Sequence, residues 1–261
     1  MNLPARIAAV PVLLMAPAFL SAASLAPLHK SCAIGFGERR GAFSLRIGEG
    51  DCVDGRHCGS SFSDEAFKRF TGITVADLGR EGAQLTATLA AEPGVFTCSG
   101  TVRNATLEGD SVFSPDAGFV ERMDRMGFPG LDSEKLMAYA FIGVDSSFAR
   151  SMKQSGIRDL TTDNLLALRI FNADPAYIQS ILAMGYEMPT ADQLIGLKVQ
   201  GVDAQEVREI RSLGYQPTLD ELVQLRIFKI TPDFIRRMQA RGFKNLTIGK
   251  LVQIRIFNLA E

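Results

Sequence analysis

The hydrophobic and polar positions divide the chain into three regions with different patterns. From Ile7 to Leu20 the residues are apolar and none is charged. Between residues 30 and 113, short segments alternate apolar and β-forming residues and are separated by turn formers such as Pro93-Gly94, which predicts strands joined by hairpins. From Asp116 onward, apolar residues recur three and four positions apart, so they share one face of a helix. The pattern therefore predicts an α+β fold.

The first region has the layout of a secretory signal peptide. Arg6 precedes the apolar run, and the small residues from Ser21 to Ala23 follow it. This arrangement predicts a signal peptide over residues 1–23 that is cleaved after Ala23, with an uncleaved anchor as the alternative. No second long apolar run follows, so we expect a periplasmic or secreted chain without stable membrane insertion after cleavage.

The cysteines all precede residue 100 and fit an oxidising compartment. Cys32, Cys52, Cys58 and Cys98 allow two disulfides in three possible pairings. The short, turn-forming loop from Cys52 to Cys58 favours that pair, which leaves Cys32 with Cys98. An alternative metal site would use Cys52, His57 and Cys58. Adjacent side chains point apart in an extended chain and no fourth ligand has a usual spacing, so we predict no metal site.

The second region predicts a small, disulfide-braced antiparallel β-rich domain over residues 24–113. A sheet of this size buries a thin core, which is a physical reason for covalent bracing. A short helix is expected near residues 64–70. The predicted strands are 42–47, 85–89, 95–98, 100–102 and 111–113.

The third region, residues 114–261, predicts five helical-hairpin repeats of about 29 residues. A glycine recurs at spacings of 29, 29, 29 and 28 residues, and it is expected to end a first helix in the left-handed conformation. Asp174-Pro175 and Thr231-Pro232 are typical starts of such a first helix, and Ser114-Pro115 lies near the first one. Helices of about three turns are marginal alone, so each hairpin must pack on its neighbours. The glycines are Gly127, Gly156, Gly185, Gly214 and Gly242, and the expected N-caps of the second helices are Asp132, Thr161, Thr190, Thr218 and Thr247.

Two strings carry a resemblance to a known class. They are Leu-Arg-Ile-Phe-Asn-Ala-Asp-Pro at 168–175 and Leu-Arg-Ile-Phe-Lys-Ile-Thr-Pro-Asp-Phe at 225–234. They resemble the short helical repeats of exported bacterial proteins, including the extracytoplasmic regions of BlaR-like antirepressor membrane metallopeptidases. The strings at 94–100 and 111–115 resemble the segment before such repeats, so the likeness covers roughly residues 60–261. The peptidase motif His-Glu-x-x-His is absent, so the resemblance implies an accessory module that is sensor-like or scaffold-like.

A basic residue recurs on the otherwise apolar second helix, at Arg169, Lys198, Arg226 and Arg255. In a regular array these four residues would align, and they are the candidate partner-binding residues. The alternative is that their stems cover apolar surface while their charged ends reach solvent or neighbouring acids.

An aromatic residue follows three of these four basic residues two positions later. Phe171, Phe228 and Phe257 keep helical register with Leu168, Leu225 and Ile254. This register predicts that all three rings lie in the core.

The composition narrows the function classes. A net charge of −1 argues against nucleic-acid binding driven by bulk charge. The chain has two histidines and no Gly-x-Ser-x-Gly elbow, so no catalytic residue and no cofactor can be assigned. We therefore expect a non-enzymatic exported protein that binds an envelope or secreted protein partner through its helical-repeat surface. The alternative is a sensor that holds a small ligand or cell-wall fragment between the β-rich domain and the repeats.

Overall fold

The computed structural model describes residues 25–37, 42–48, 60–243 and 245–257, and it has an α+β fold in which an antiparallel sheet precedes a series of helices. The predicted signal peptide and the predicted Cys52–Cys58 disulfide lie outside the described residues. The Cys32–Cys98 disulfide is confirmed.

The sheet contains six antiparallel strands in the order β3-β2-β1-β6-β5-β4. Neighbouring strands β4 and β5 form a tight hairpin in which Ala91 pairs with Gly94, as Pro93-Gly94 predicted. Alternation buries Phe96, Cys98 and Val102 on one face of β5. The strands are β1 (Leu28–Phe36), β2 (Ala42–Ile47), β3 (Ser60–Ser63), β4 (Gln84–Ala91), β5 (Gly94–Arg103) and β6 (Thr106–Pro115).

The sheet curls sharply where the disulfide crosses it. Cys32 on β1 and Cys98 on β5 both flank β6, yet their Cα atoms are 6.0 Å apart. Two strands separated by a third lie about 9.6 Å apart in a flat sheet. Gly100 pairs with Gly109 at this place, and a Cβ on either residue would overlap the backbone of the facing strand. The glycine pair therefore permits the close approach, and the disulfide holds the curl.

Ten helices follow the sheet, after the short helix α1 (Asp64–Phe67) that precedes β4. The odd-numbered helices stack in one row, because α3 contacts α5, α5 contacts α7, α7 contacts α9 and α9 contacts α11. At the start of this row α3 packs against β4, β5 and β6, so sheet and helices share one hydrophobic core. The ten are α2 (Ala117–Arg125), α3 (Ser133–Ile142), α4 (Ser146–Gln154), α5 (Thr162–Ile170), α6 (Pro175–Ala183), α7 (Ala191–Val199), α8 (Ala204–Ser212), α9 (Leu219–Ile227), α10 (Pro232–Ala240) and α11 (Ile248–Ile256).

The helix boundaries follow the local signals in the sequence. All five predicted caps of the odd-numbered helices accept a backbone hydrogen bond through their side chains. All five marker glycines have positive φ angles between 80° and 91°. The caps Asp174 and Thr231 are also confirmed. Ser114-Pro115 lies close to the first of these helices, as expected, but both residues belong to the end of β6, and the N-cap of α2 is Asp116.

Candidate binding surface

The four recurring basic residues all lie in the last turn of an odd-numbered helix. Three of them are held over an aromatic ring of the helix that precedes their own, an arrangement worth about 0.5–1 kcal/mol at exposed sites. The fourth, Arg226, instead pairs with Glu206 at 3.0 Å. The distances from the charged group to the ring centre are 5.0 Å for Arg169 on Phe148, 4.1 Å for Lys198 on Tyr177 and 5.5 Å for Arg255 on Phe234.

Two of these basic side chains, Arg169 and Arg226, also reach the end of the preceding odd-numbered helix. The Arg226 Nε donates a hydrogen bond of 2.9 Å to the carbonyl of Gln200, the C-cap of α7. The Arg169 guanidinium lies beside Gly143, the C-cap of α3. The carbonyl end of a helix carries partial negative charge, so each position favours a cation.

Arg69 extends this arrangement onto the β-rich part of the chain. Its guanidinium donates two hydrogen bonds of 2.6 Å, to the carbonyls of Ala140 and Phe141 in the last turn of α3. Burial and the nearby charge of Arg169 lower the pKa of the Arg69 guanidinium. Nothing in the local sequence distinguishes Arg69, since its role depends on a contact with a helix that begins over sixty residues later.

An exposed aliphatic residue follows each of the four basic residues. Ile170 is 48% exposed, Val199 50%, Ile227 51% and Ile256 52%. We name the resulting surface the basic-apolar edge. It consists of the pairs Arg169-Ile170, Lys198-Val199, Arg226-Ile227 and Arg255-Ile256.

The prediction that three phenylalanines lie in the core is wrong for two of them. Phe171 is 41% exposed and Phe257 is 67% exposed, whereas Phe228 is half-buried against the core. All three phenylalanines are the C-cap residues of their helices, so the helical register that predicted burial has already ended at each of them, and Phe228 alone still packs against the core. Both rings lie next to the basic-apolar edge.

The charges of the edge are largely unneutralised. Within the described ranges, no carboxylate forms a salt bridge with Arg169, Lys198 or Arg255. Acidic residues lie instead in the first turns of the same helices, for example Asp163 in α5 and Asp192 in α7. Helices α5, α7 and α9 therefore carry an acidic residue in the first turn and a basic residue in the last turn, whereas α3 has no basic residue in its last turn and α11 no acidic residue in its first.

A separate groove of about 710 Å³ lies on the sheet. Its walls come mainly from β1 and β6, and the Lys30 Nζ at its border is 2.7 Å from Glu134 of α3. The groove thus adjoins the first helices, in the region where the sequence suggested a ligand site as the alternative. Its lining residues are His29, Lys30, Ser31, Gly48, Asp110, Ser111 and Val112.

Comparison with known family models, curated proteins and solved structures found no match. Across the part of the chain that the structure describes, none of the helices has both the length and the apolar character needed to cross a membrane. The same part contains no group of three or more His, Cys, Asp or Glu side chains that could hold a metal ion.

Proposed function

We propose that the protein is an exported, non-enzymatic scaffold that binds an envelope or secreted protein through its helices. In this proposal the ten helices are five copies of one hairpin unit, as in the repeats of the exported bacterial proteins that the sequence resembles. The observation that carries the binding role is the basic-apolar edge, where an exposed aliphatic side chain follows each of four cations and three of these cations have no carboxylate partner among the described residues. Isolated exposed apolar residues are ordinary on a protein surface, but their recurrence beside a cation on four helices of one row favours an interaction surface.

Polar contacts between neighbouring units support the repeat interpretation. The third residue of one odd-numbered helix bonds to the second residue of the next, at a separation of 27 or 28 residues in sequence. Such nearest-neighbour contacts are what couples the units of a repeat array. The contacts are Lys135 to Asp163 at 2.8 Å, Asn164 to Asp192 at 2.8 Å and Gln193 to Asp220 at 3.2 Å.

The ends of the first helices repeat a second contact in the same way. Lys153 donates to the carbonyl of Met126 at 2.5 Å, across 27 residues. Gln239 donates to the carbonyl of Leu213 at 3.3 Å, across 26 residues. Each donor comes from the unit that follows, so the end of one helix is satisfied only when the next unit is stacked on it.

Export is supported by the Cys32–Cys98 disulfide, because structural disulfides persist mainly in oxidising compartments. The predicted signal peptide over residues 1–23 points to the same compartment.

The test of this function is affinity capture with a tagged chain beginning at residue 24, from the periplasmic and secreted fractions of the source cells. We expect a partner that is recovered reproducibly and is released by an excess of untagged protein. Failure to recover any competable partner after chemical cross-linking would contradict the proposal.

The groove on the sheet favours a second candidate function, the binding of a small polar ligand. His29, Lys30 and Asp110 give it groups that could bind both anionic and cationic parts of a cell-wall fragment. A fragment at about one hundred times its dissociation constant should stabilise the fold by about 2.7 kcal/mol. A thermal-shift screen with Asp110→Ala as the control variant separates this function from protein binding.

A further inference from the structure

We infer that the basic-apolar edge binds an acidic, apolar segment of a partner protein in the extended polyproline II conformation, one triplet of residues per unit. This inference rests on the proposed function and names the chemistry of the partner. The segment would carry a carboxylate for each free cation and an aliphatic side chain beside it.

We infer that the partner segment is acidic from charge complementarity with the edge. Arg169, Lys198 and Arg255 have no carboxylate partner among the described residues, and each charged group is already held over a ring. Fixing a side chain in advance reduces the entropy that is lost when it binds a ligand. A carboxylate is therefore the group that these three positions are best prepared to accept.

The exposed side chains beside the cations give the apolar character. Val199 and Ile256 are half-exposed, and Phe257 is the most exposed large hydrophobic residue in the described part of the chain. A partner that supplied only charge would leave this apolar surface in water. A segment with aliphatic residues next to its carboxylates would bury it and gain about 25 cal/mol for each Å².

We infer the polyproline II conformation of the partner segment from the spacing of the units. Packed helices lie about 8–10 Å apart, and α5, α7, α9 and α11 contact one another in this order, so we expect adjacent cation–aliphatic pairs to be about that far apart. A polyproline II segment advances about 9.3 Å in three residues and returns to the same face. Triplets of one acidic residue, one aliphatic residue and proline therefore match this spacing, with the carboxylates needed at Arg169, Lys198 and Arg255 and not at Arg226, which Glu206 already pairs.

The experiment uses a fluorescein-labelled peptide of repeated Glu-Leu-Pro triplets, the full chain, and fluorescence anisotropy. We expect binding that weakens as salt rises, because part of it comes from exposed charges. Lys198→Ala should weaken binding by about tenfold, which corresponds to about 1.4 kcal/mol, and Val199→Ser by severalfold. Arg208→Ala removes an exposed cation from α8, outside the edge, and should leave the affinity unchanged.

Three results would overturn the inference. They are equal weakening by Lys198→Ala and Arg208→Ala, equal binding of a scrambled peptide of the same composition, and binding to phosphatidylglycerol vesicles but not to the peptide. Circular dichroism of each variant checks that the helices are intact. Capture of the partner distinguishes failure of this inference from failure of the proposed function. If Lys198→Ala and the unaltered chain recover the partner equally, the protein still binds a partner but does not use the basic-apolar edge to do so.

Discussion

Glu92 is the residue through which we test how the sheet is joined to the helices. It lies in the turn between β4 and β5 and contacts two helices at once. Its carboxylate accepts hydrogen bonds from the Ser146 backbone N–H at 2.8 Å and the Ser146 hydroxyl at 2.6 Å, at the start of α4. It also accepts one of 3.0 Å from the Arg122 Nε on α2. Replacing Glu92 with glutamine removes the charge and one acceptor oxygen while it keeps the shape.

The loss of unfolding free energy that we expect for Glu92→Gln lies between the loss of an exposed ion pair and the loss of a buried one. Exposed pairs contribute about 0–1 kcal/mol, and breaking a buried pair costs about 3–5 kcal/mol. The Glu92 side chain is 31% exposed and Arg122 39%, so solvent screens part of the interaction. We therefore expect Glu92→Gln to lower the free energy of unfolding by about 2 kcal/mol, or about 5 °C in melting temperature for a chain of this size.

The assay is urea unfolding followed by circular dichroism, with Glu121→Gln as the matched control. Glu121 is 71% exposed and lies 3.7 Å from Arg125 on α2, so its loss should change stability by less than about 0.5 kcal/mol. Equal effects of the two substitutions would refute the reasoning, because the junction would then add nothing beyond an ordinary surface charge.

The pH dependence of the stability independently checks that the Glu92 carboxylate stabilises the fold in its charged form. Burial acts to raise the pKa of the Glu92 carboxyl, but hydrogen bonds from Ser146 and the charge and hydrogen bond of Arg122 outweigh it, so the pKa is lowered. A carboxyl with a lowered pKa in the folded state stabilises the fold above its unfolded pKa of about 4.3. That contribution is lost as the pH falls through the folded pKa. The stability difference between the unaltered chain and Glu92→Gln should therefore be full at pH 7 and disappear in acid.

Three further predictions test the helices and the sheet by urea unfolding. Gly185→Ala should lower the free energy of unfolding by about 1 kcal/mol because the φ of Gly185 is +83°. Gly249→Ala, inside α11, should instead raise it by about 0.5–1 kcal/mol. Stability changes of the same sign in both variants would mean that the helix end is misplaced. Tyr139→Phe should lower the free energy of unfolding by about 1 kcal/mol, since the Tyr139 hydroxyl donates to a backbone carbonyl at 2.6 Å. Tyr177→Phe should be neutral or stabilising, because the buried Tyr177 hydroxyl has no partner among the described residues. Serine at both cysteines of the β1–β5 disulfide, which closes a loop of 66 residues, should cost about 4 kcal/mol; a loss below 1 kcal/mol would show that the curl does not need the bond.

The features that the sequence predicted are those fixed by a few adjacent residues. The caps Thr190 and Thr218 each accept from the residue three positions later, and that residue bonds back, so the whole signal lies within one turn. Strand β1 was missed for the complementary reason. After Leu28 its sequence continues with His29, Lys30 and Ser31, which are weak strand formers, and the strand is held by pairing with β2 and β6.

In the candidate site, too, the sequence predicted local features and missed those that depend on packing. The recurrence of basic residues was visible in the sequence, but the rings beneath Arg169 and Lys198 come from α4 and α6 and depend on packing. The carbonyl contacts of Arg69 depend on how α3 lies against the sheet. The exposure of Phe257 was mispredicted because a periodic pattern does not reveal at which residue the helix stops.

The loop before α9 is one residue shorter than the loop before α7. Four residues (Gly214 to Pro217) lie between Leu213 and the N-cap of α9, whereas five (Gly185 to Pro189) lie between Met184 and the N-cap of α7. Helices α8 and α9 each have nine residues, as α6 and α7 do, so the difference is confined to the loop. This loop leads into the start of α9, and Arg226 lies at the other end of that helix, about 12 Å away at 1.5 Å per residue. In the proposed repeat array the shorter loop thus lies at the end of α9 away from Arg226, so we expect Arg226-Ile227 to keep its place between Lys198-Val199 and Arg255-Ile256.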